Sequence, residues 1–188
     1  MAERLINPRG SRYIHVPDAR VITAVTVDDV ITTDYDVLLR DGAPVRIELR
    51  RRGWIVKVTG TFAYATREEI TPAVADLAQL LHARTTSGGG EIGTFNDTTS
   101  PTGVQALRAI ELGVDEVLSR VDAELPFAYV RDAKRLAALQ AACLVETSFL
   151  PNEVDGDRTA YRQYSAMFLS GLATLITNAR RAAYGGLG

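Results

Sequence analysis

The chain has 188 residues, 46 % of them apolar and 23 % charged, with a net charge of −2. A chain of this length folds as one domain or two small ones and buries roughly two-thirds of its unfolded surface, which excludes disorder as its overall state. With 21 basic against 23 acidic side chains it has no global positive field to hold nucleic acid or an anionic membrane. One cysteine, Cys143, excludes an intrachain disulfide and a cysteine-based zinc site. His15 and His82 are the only histidines, too few for most histidine-rich metal sites. No apolar run approaches the ~20 residues of a membrane span, and the first residues, Met1 to Val16, lack the apolar core of a secretory signal. The expectation is a cytoplasmic product without metal, cofactor or membrane contact.

From Arg12 to Tyr64 the apolar period is two. Arg12 to Val16 reads as a short strand stopped by Pro17. Arg20 to Asp28 is rich in β-branched residues and apolar on both sides, as in a strand covered on both faces. Asp28-Asp29 reads as a turn. Tyr35, Val37 and Leu39 alternate with Asp36 and Leu38, and Asp41-Gly42 is the strongest hairpin signal in the chain. Val45, Ile47 and Leu49 then alternate with Arg46, Glu48 and Arg50, a strand with one buried and one solvated face. Arg52-Gly53 makes another turn. Trp54 to Tyr64 is the last and longest strand, and Gly60 within it marks a bulge. Five strands at intervals of about ten residues predict an antiparallel meander.

The period then changes. Thr71-Pro72 reads as an N-cap followed by proline at the first helical position, and Ile70, Val74, Leu77, Leu80 and Leu81 keep helical spacing to about Arg84. Residues 86–102 are polar, rich in glycine, serine and threonine, and aperiodic. They read as a flexible linker or loop, a domain boundary or a segment that orders on binding. Residues 103–188 read as a helical bundle with a C-terminal tail. Its first stripe is Leu107, Ile110, Val114, Val117, Leu118, Val121 and Leu125, ended by Pro126. A second helix over residues 131–150 turns Leu136, Leu139 and Cys143 inward. A third, capped by Asp157 or Thr159, carries Tyr161, Tyr164, Phe168, Leu172, Leu175, Ile176 and Ala179. The fold class is therefore α+β: β-rich with one helix over 1–85, helical over 103–188.

The search for chemistry is mostly negative. There is no phosphate-binding Gly-x-x-x-x-Gly-Lys-Ser/Thr loop and no Gly-x-Ser-x-Gly elbow. Gly88-Gly89-Gly90 lacks a following lysine and reads as a hinge. His15 and His82 read as packed or surface histidines. The carboxylate pairs Asp28-Asp29, Asp34 with Asp36, Glu68-Glu69 and Asp115-Glu116 sit at turns and helix starts, where acids cap and complement the helix dipole. Arg50, Arg51 and Arg52 form the one dense basic cluster. They read as contacts to phosphate or an acidic partner, or as a solvated hairpin end; without interleaved aromatics the second reading is favoured. Cys143 reads as a small core residue, and the Tyr161, Tyr164, Phe168 stripe as core packing.

The β-half carries a more specific pattern. Ile14-His-Val-Pro17, the strand Ile22–Asp29, Asp34–Val37, Trp54–Val58 and the helix from Thr71-Pro72 follow one another in an order that resembles the head-to-tail connector (adaptor) proteins of tailed bacteriophages. The likeness covers about residues 8 to 85. Asp115–Leu125 is similar to a helix of that family's bundle, and the helix with Tyr161 and Tyr164 more weakly so. Many adaptors place helices first, whereas this chain starts almost at its β-part.

The resemblance implies a structural, non-enzymatic role in the virion neck, assembled in the host cytoplasm, with no catalytic, cofactor or metal site. Adaptors form a ring, commonly dodecameric, beneath the portal protein, contact a neighbouring neck or tail protein, and let DNA pass without binding it specifically. The family often grips the portal through a terminal segment; here the positions are Arg180, Arg181, Tyr184 and Leu187, in a tail that docks or merely frays. Phe95 in the long loop is a second interface candidate. The alternatives are a head-closure or tail-terminator protein, a small enzyme without a recognisable motif, and a nucleic-acid-binding regulator.

Overall fold

The Asp41-Gly42 pair forms the turn its chemistry indicates. Both residues have positive φ (50° and 84°), the type I′ geometry that matches strand twist, and they join strand β5 (Tyr35–Arg40) to β6 (Ala43–Leu49). Asp28 and Asp29 do the same, at 50° and 64°, between β3 (Ala19–Val27) and β4 (Val30–Thr32). Asp28 also accepts the Ile55 amide at 3.0 Å, which tolerates left-handed backbone in a residue with a short polar side chain. These elements belong to a computed structural model that describes residues 1–6, 11–53, 55–86, 93–121, 124–149 and 159–184.

The class is α+β and the sheets are antiparallel. The strands divide between two sheets. Sheet A runs β1 (Ala2–Ile6), β7 (Val56–Phe62), β3, β4; sheet B runs β2 (Tyr13–His15), β6, β5. Chain order alone does not give this pairing, because β1 and β3 both bond to β7. Gly60 explains one irregularity. A Cβ there would lie 2.2 Å from the Val21 carbonyl oxygen, and the register shifts fall on β3 to either side of that contact. The bulge expected at Gly60 therefore distorts the partner strand.

Chain contacts divide the molecule into two compact units. The first groups Met1–Ala65 with Ala123–Arg131 and Thr177–Gly188. Its core is the inward row of both sheets: Ile14, Val16, Val25, Ile47, Leu49, Val56 and Val58, each at most 2 % exposed. Each such side chain contributes about 1.5–3 kcal/mol on burial. Asp18 is the buried charge here. It receives the Arg4 guanidinium through two nitrogens, and Arg4 also stacks on Phe62 at 4.5 Å. The segment after residue 123 closes one end. Ala65 donates to Leu125 O, Ala128 donates to Pro17 O, and Arg20 lies 4.1 Å from the Phe127 ring.

The second unit groups Thr66–Asp122 with Asp132–Ile176. It holds α1 (Arg67–Ile70), α2 (Val74–Leu80), α3 (Gly103–Arg120) and most of α4 (Val130–Phe149) and α5 (Thr159–Tyr184). Its core combines Leu77, Leu81, Ile110 and Val145 with Ala106, Ala109, Ala141 and Ala142. The alanines let helices approach closely. At Gly113 a Cβ would stand 2.4 Å from the Ala137 carbonyl oxygen, so α3 touches α4 through backbone.

Several expectations are revised. The division falls after Ala65 rather than at 85, so the helix assigned to the β-rich portion lies in the helical unit. Thr71 ends α1 instead of capping α2; Pro72 is buried beside it, and the Ala73 amide is held by the Asp76 carboxylate at 2.8 Å. The described part of the long loop is tied down. Thr86 donates to Thr94 O, the Asn96 side chain accepts from Thr98, and Thr102 with Gln105 forms a capping box for α3. These described residues belong to the helical unit, whose boundary with the β-unit lies elsewhere. Leu107 of the α3 stripe is exposed, its place taken by Ala106 and Ala109. β3 has Val21 in solvent, so it is not covered on both faces. Gly88-Gly89-Gly90, Trp54 and Asp157 lie outside the described residues.

Candidate functional site

Directly opposed residues of a sheet share a face. In sheet A one row therefore runs Leu5, Lys57, Thr26, Ile31. The next row, Ile6, Val56, Val27, Val30, faces the core, where Val56 is fully buried. The first row lies outside. Leu5 is 69 % and Ile31 75 % exposed, and Val21 on the same face is 53 % exposed. The remaining outer positions are the threonines Thr23, Thr59 and Thr61, with Ala24 and the exposed carboxylate of Glu3 in the row of Thr59. Lys57 bridges to Asp29 at 2.8 Å, which raises its pKa and lays its stem along the face. At the β4 edge Val30 belongs to the inward row yet is 67 % exposed, because no strand continues the core beyond it among the described residues.

Sheet B turns a different surface outward. Tyr13, Glu48 and Asp36 form one row; His15, Arg46 and Leu38 form the next. Two of these groups have neighbours that complement them. Arg46 lies 4.7 Å from the Tyr13 ring, and Arg50 reaches Asp36 at 3.5 Å and Asp34 at 3.7 Å. The basic cluster is thus divided: Arg50 serves its own hairpin, while Arg51 and Arg52 are exposed at the strand end.

The other candidates do not converge on a catalytic centre. An open pocket of about 320 Å³ is lined by Arg40, Asp41, Ala43, Phe127, Val130 and Arg131. Its charges are occupied within the β-unit, Arg131 on Asp41 and Arg40 over Tyr129 at 5.2 Å. His15 and His82 are both exposed, and the described residues contain no group of three His, Cys, Asp or Glu side chains able to hold a metal ion. Cys143 packs as a core residue, and that burial pushes its thiol up to about 11. Tyr164 donates to Leu80 O at 2.6 Å, and burial raises its pKa too. No described helix is long and apolar enough to cross a membrane.

Phe95, expected as an interface anchor, is only 8 % exposed and packs in the helical core with Leu77, Ala106 and Ile110. Arg180 and Arg181 are exposed near the end of α5. Tyr184 is the last residue of that helix, and Leu187 lies outside the described residues. The sequence reading missed the exposed residues Leu5, Val30 and Ile31 because β1 and β4 were not read as strands. The Val-Ile-Thr-Thr run after the Asp28-Asp29 turn was the signal for β4.

Among known proteins, no family model matches the chain, and no curated protein and no solved structure matches it.

Proposed function

We propose that the chain is a structural subunit of the tailed-bacteriophage neck: an adaptor that assembles into a ring, joins the portal protein to the tail, and continues the DNA channel. The observation that carries this reading is the uncovered side of sheet A. Leu5, Val21 and Ile31 stand more than half exposed on its outer face, and Val30 stands more than half exposed at the open end of its inward row. An apolar face and an unguarded strand edge invite pairing with other chains, and persist where a protein partner covers them. The resemblance to adaptors supplies the nature of the partner. The segments that carry it, Ile14–Pro17, Ile22–Asp29, Asp34–Val37 and the described part of Trp54–Val58, fall within the same β-unit. The near-neutral charge suits a conduit that DNA must traverse without being held. A subunit of this kind acts by contact: its lateral surfaces set the ring, and its ends meet the portal above and a neck or tail protein below.

The test is a pull-down with the purified portal of its phage, followed by electron microscopy. A ring on the tail-facing end of the portal is the expected result, and deletion of residues 181–188 then tests whether the tail, with Arg181, Tyr184 and Leu187, makes the grip. Binding to an isolated tail, or to portal only with another neck protein, moves the chain one tier down. Binding to neither overturns the adaptor reading.

A further inference from the structure

Sheet A has four strands and sheet B three, all antiparallel. In an even-numbered antiparallel sheet the two edge strands run in opposite directions. A second copy in the same orientation therefore brings its β1 antiparallel to β4 of the first. In sheet B, with three strands, the same placement sets β2 parallel to β5, the less stable pairing. We propose that copies of this chain join head to tail by strand addition, β4 of one subunit against β1 of the next, so that sheet A runs on from subunit to subunit. The inference rests on the ring reading above and names the contact that would build the ring.

Side-chain rows select the register. Setting Ile31 opposite Leu5 of the next copy continues the outer row with two apolar residues, both now in solvent. The same register sets Val30, the exposed end of the inward row, opposite Ile6, so the core extends across the junction. Thr32 then meets Arg4. The chain segments also differ in charge. Residues 28–41 carry five aspartates and one arginine, whereas residues 1–15 carry three arginines and one glutamate. Lys57, Arg50 and Arg131 already reach Asp29, Asp34 with Asp36, and Asp41, so charge orients the contact more than it strengthens it. The competing two-fold arrangement, β4 against β4 centred on Ile31, sets Asp28 opposite Asp34 twice. Like charges directly opposed disfavour it. A head-to-tail contact is heterologous, the kind that closes into rings.

Directly opposed strand positions are close enough for a disulfide. In a Cys143→Ala background, the pair Leu5→Cys and Ile31→Cys on one chain is oxidised, free and on the portal, and run on a non-reducing gel. A ladder of linked subunits ending in one discrete largest species is expected, with each single-cysteine variant unlinked. A linked dimer from Ile31→Cys alone overturns the proposal in favour of the two-fold pairing, and monomer alone overturns it outright. Both positions are exposed, so folding is checked by an unchanged Tm. Independently, Ile31→Lys and Leu5→Lys should each lose assembly, while their equal mixture, with one intact edge on each partner, should form a dimer. Wild-type assembly by both variants overturns the proposal. Rings seen without linkage would keep the adaptor reading and remove this contact. An open linked ladder without rings would keep the contact and remove the ring.

Discussion

On sheet B, outward rows alternate charge and ring: Tyr13 under Arg46, Arg50 against Asp34 and Asp36, Glu48 between. On sheet A, a few strands away and over the same hydrophobic core, the outward positions include Leu5, Val21 and Ile31 among Thr23, Ala24, Thr26, Thr59 and Thr61, with Glu3 and Lys57 the charged side chains among them. Both sheets obey the alternation that buries one face. They differ in what the other face is prepared for. Sheet B pairs much of its outward charge locally, and its exposed leucines, Leu38 and Leu39, sit at the end of one edge strand, β5. Sheet A leaves apolar surface and an open core edge at Val30, which water solvates poorly. Inward alternation fixes the fold on both sheets, while the outward residues are free to differ, and on sheet A they carry the contact proposed above.

The sharpest way to break this comparison is to exchange inner and outer isoleucines. Ile47→Ala, in the fully buried row, should destabilise the protein by about 2–5 kcal/mol in urea unfolding. Ile31→Thr should change stability by no more than about 0.5 kcal/mol and still weaken assembly. A large loss of stability from Ile31→Thr would show that its role lies in folding. Asp18→Asn comes next. It removes one side of the ion pair with Arg4, with a cost of about 1–3 kcal/mol, moderated because Arg4 is partly exposed. Asp36→Asn on the outer face of sheet B should be close to neutral by the same measurement.

The helical unit offers a smaller, pH-dependent contrast. Cys143 titrates near 11 when folded against an ordinary 9.0. Above about pH 9 the unfolded chain ionises its thiol while the folded chain keeps the proton, so stability should be flat below that pH and fall as pH rises toward 11. Cys143→Ala should remove the slope in a Tm series. The smallest effect belongs to Asp115, whose pKa is held below its ordinary value by the hydrogen bond from Arg67. Its contribution is present at neutral pH and lost as pH falls through that lowered value. Asp115→Asn should abolish a shallow acid-side slope in Tm that added salt also flattens.

Local chemistry made much of the fold legible. Asp41-Gly42 fixes a hairpin by itself, and Phe168, Leu172, Leu175 and Ala179 identify the last helix because their helical spacing puts all four in the core. Pairing of β1 with β7 was not legible, since Ala-Glu-Arg-Leu-Ile alternates too weakly to announce a strand and its partner lies some fifty residues away. Phe95 was misread because a single aromatic in a polar loop has no period; only its place in the core with Leu77 and Ile110 shows that it points inward. The candidate surface was hidden for the opposite reason. Val30 and Ile31 look like core in any sequence, and burial alone reveals that they are not.

The most direct measurement is hydrogen–deuterium exchange of the protein alone and assembled on its portal. The account expects amides of β1 and β4 to gain protection on assembly, while those of β2 and β5 at the edges of sheet B stay as they are. Protection confined to β2 or β5, or no change at either edge of sheet A, would contradict it.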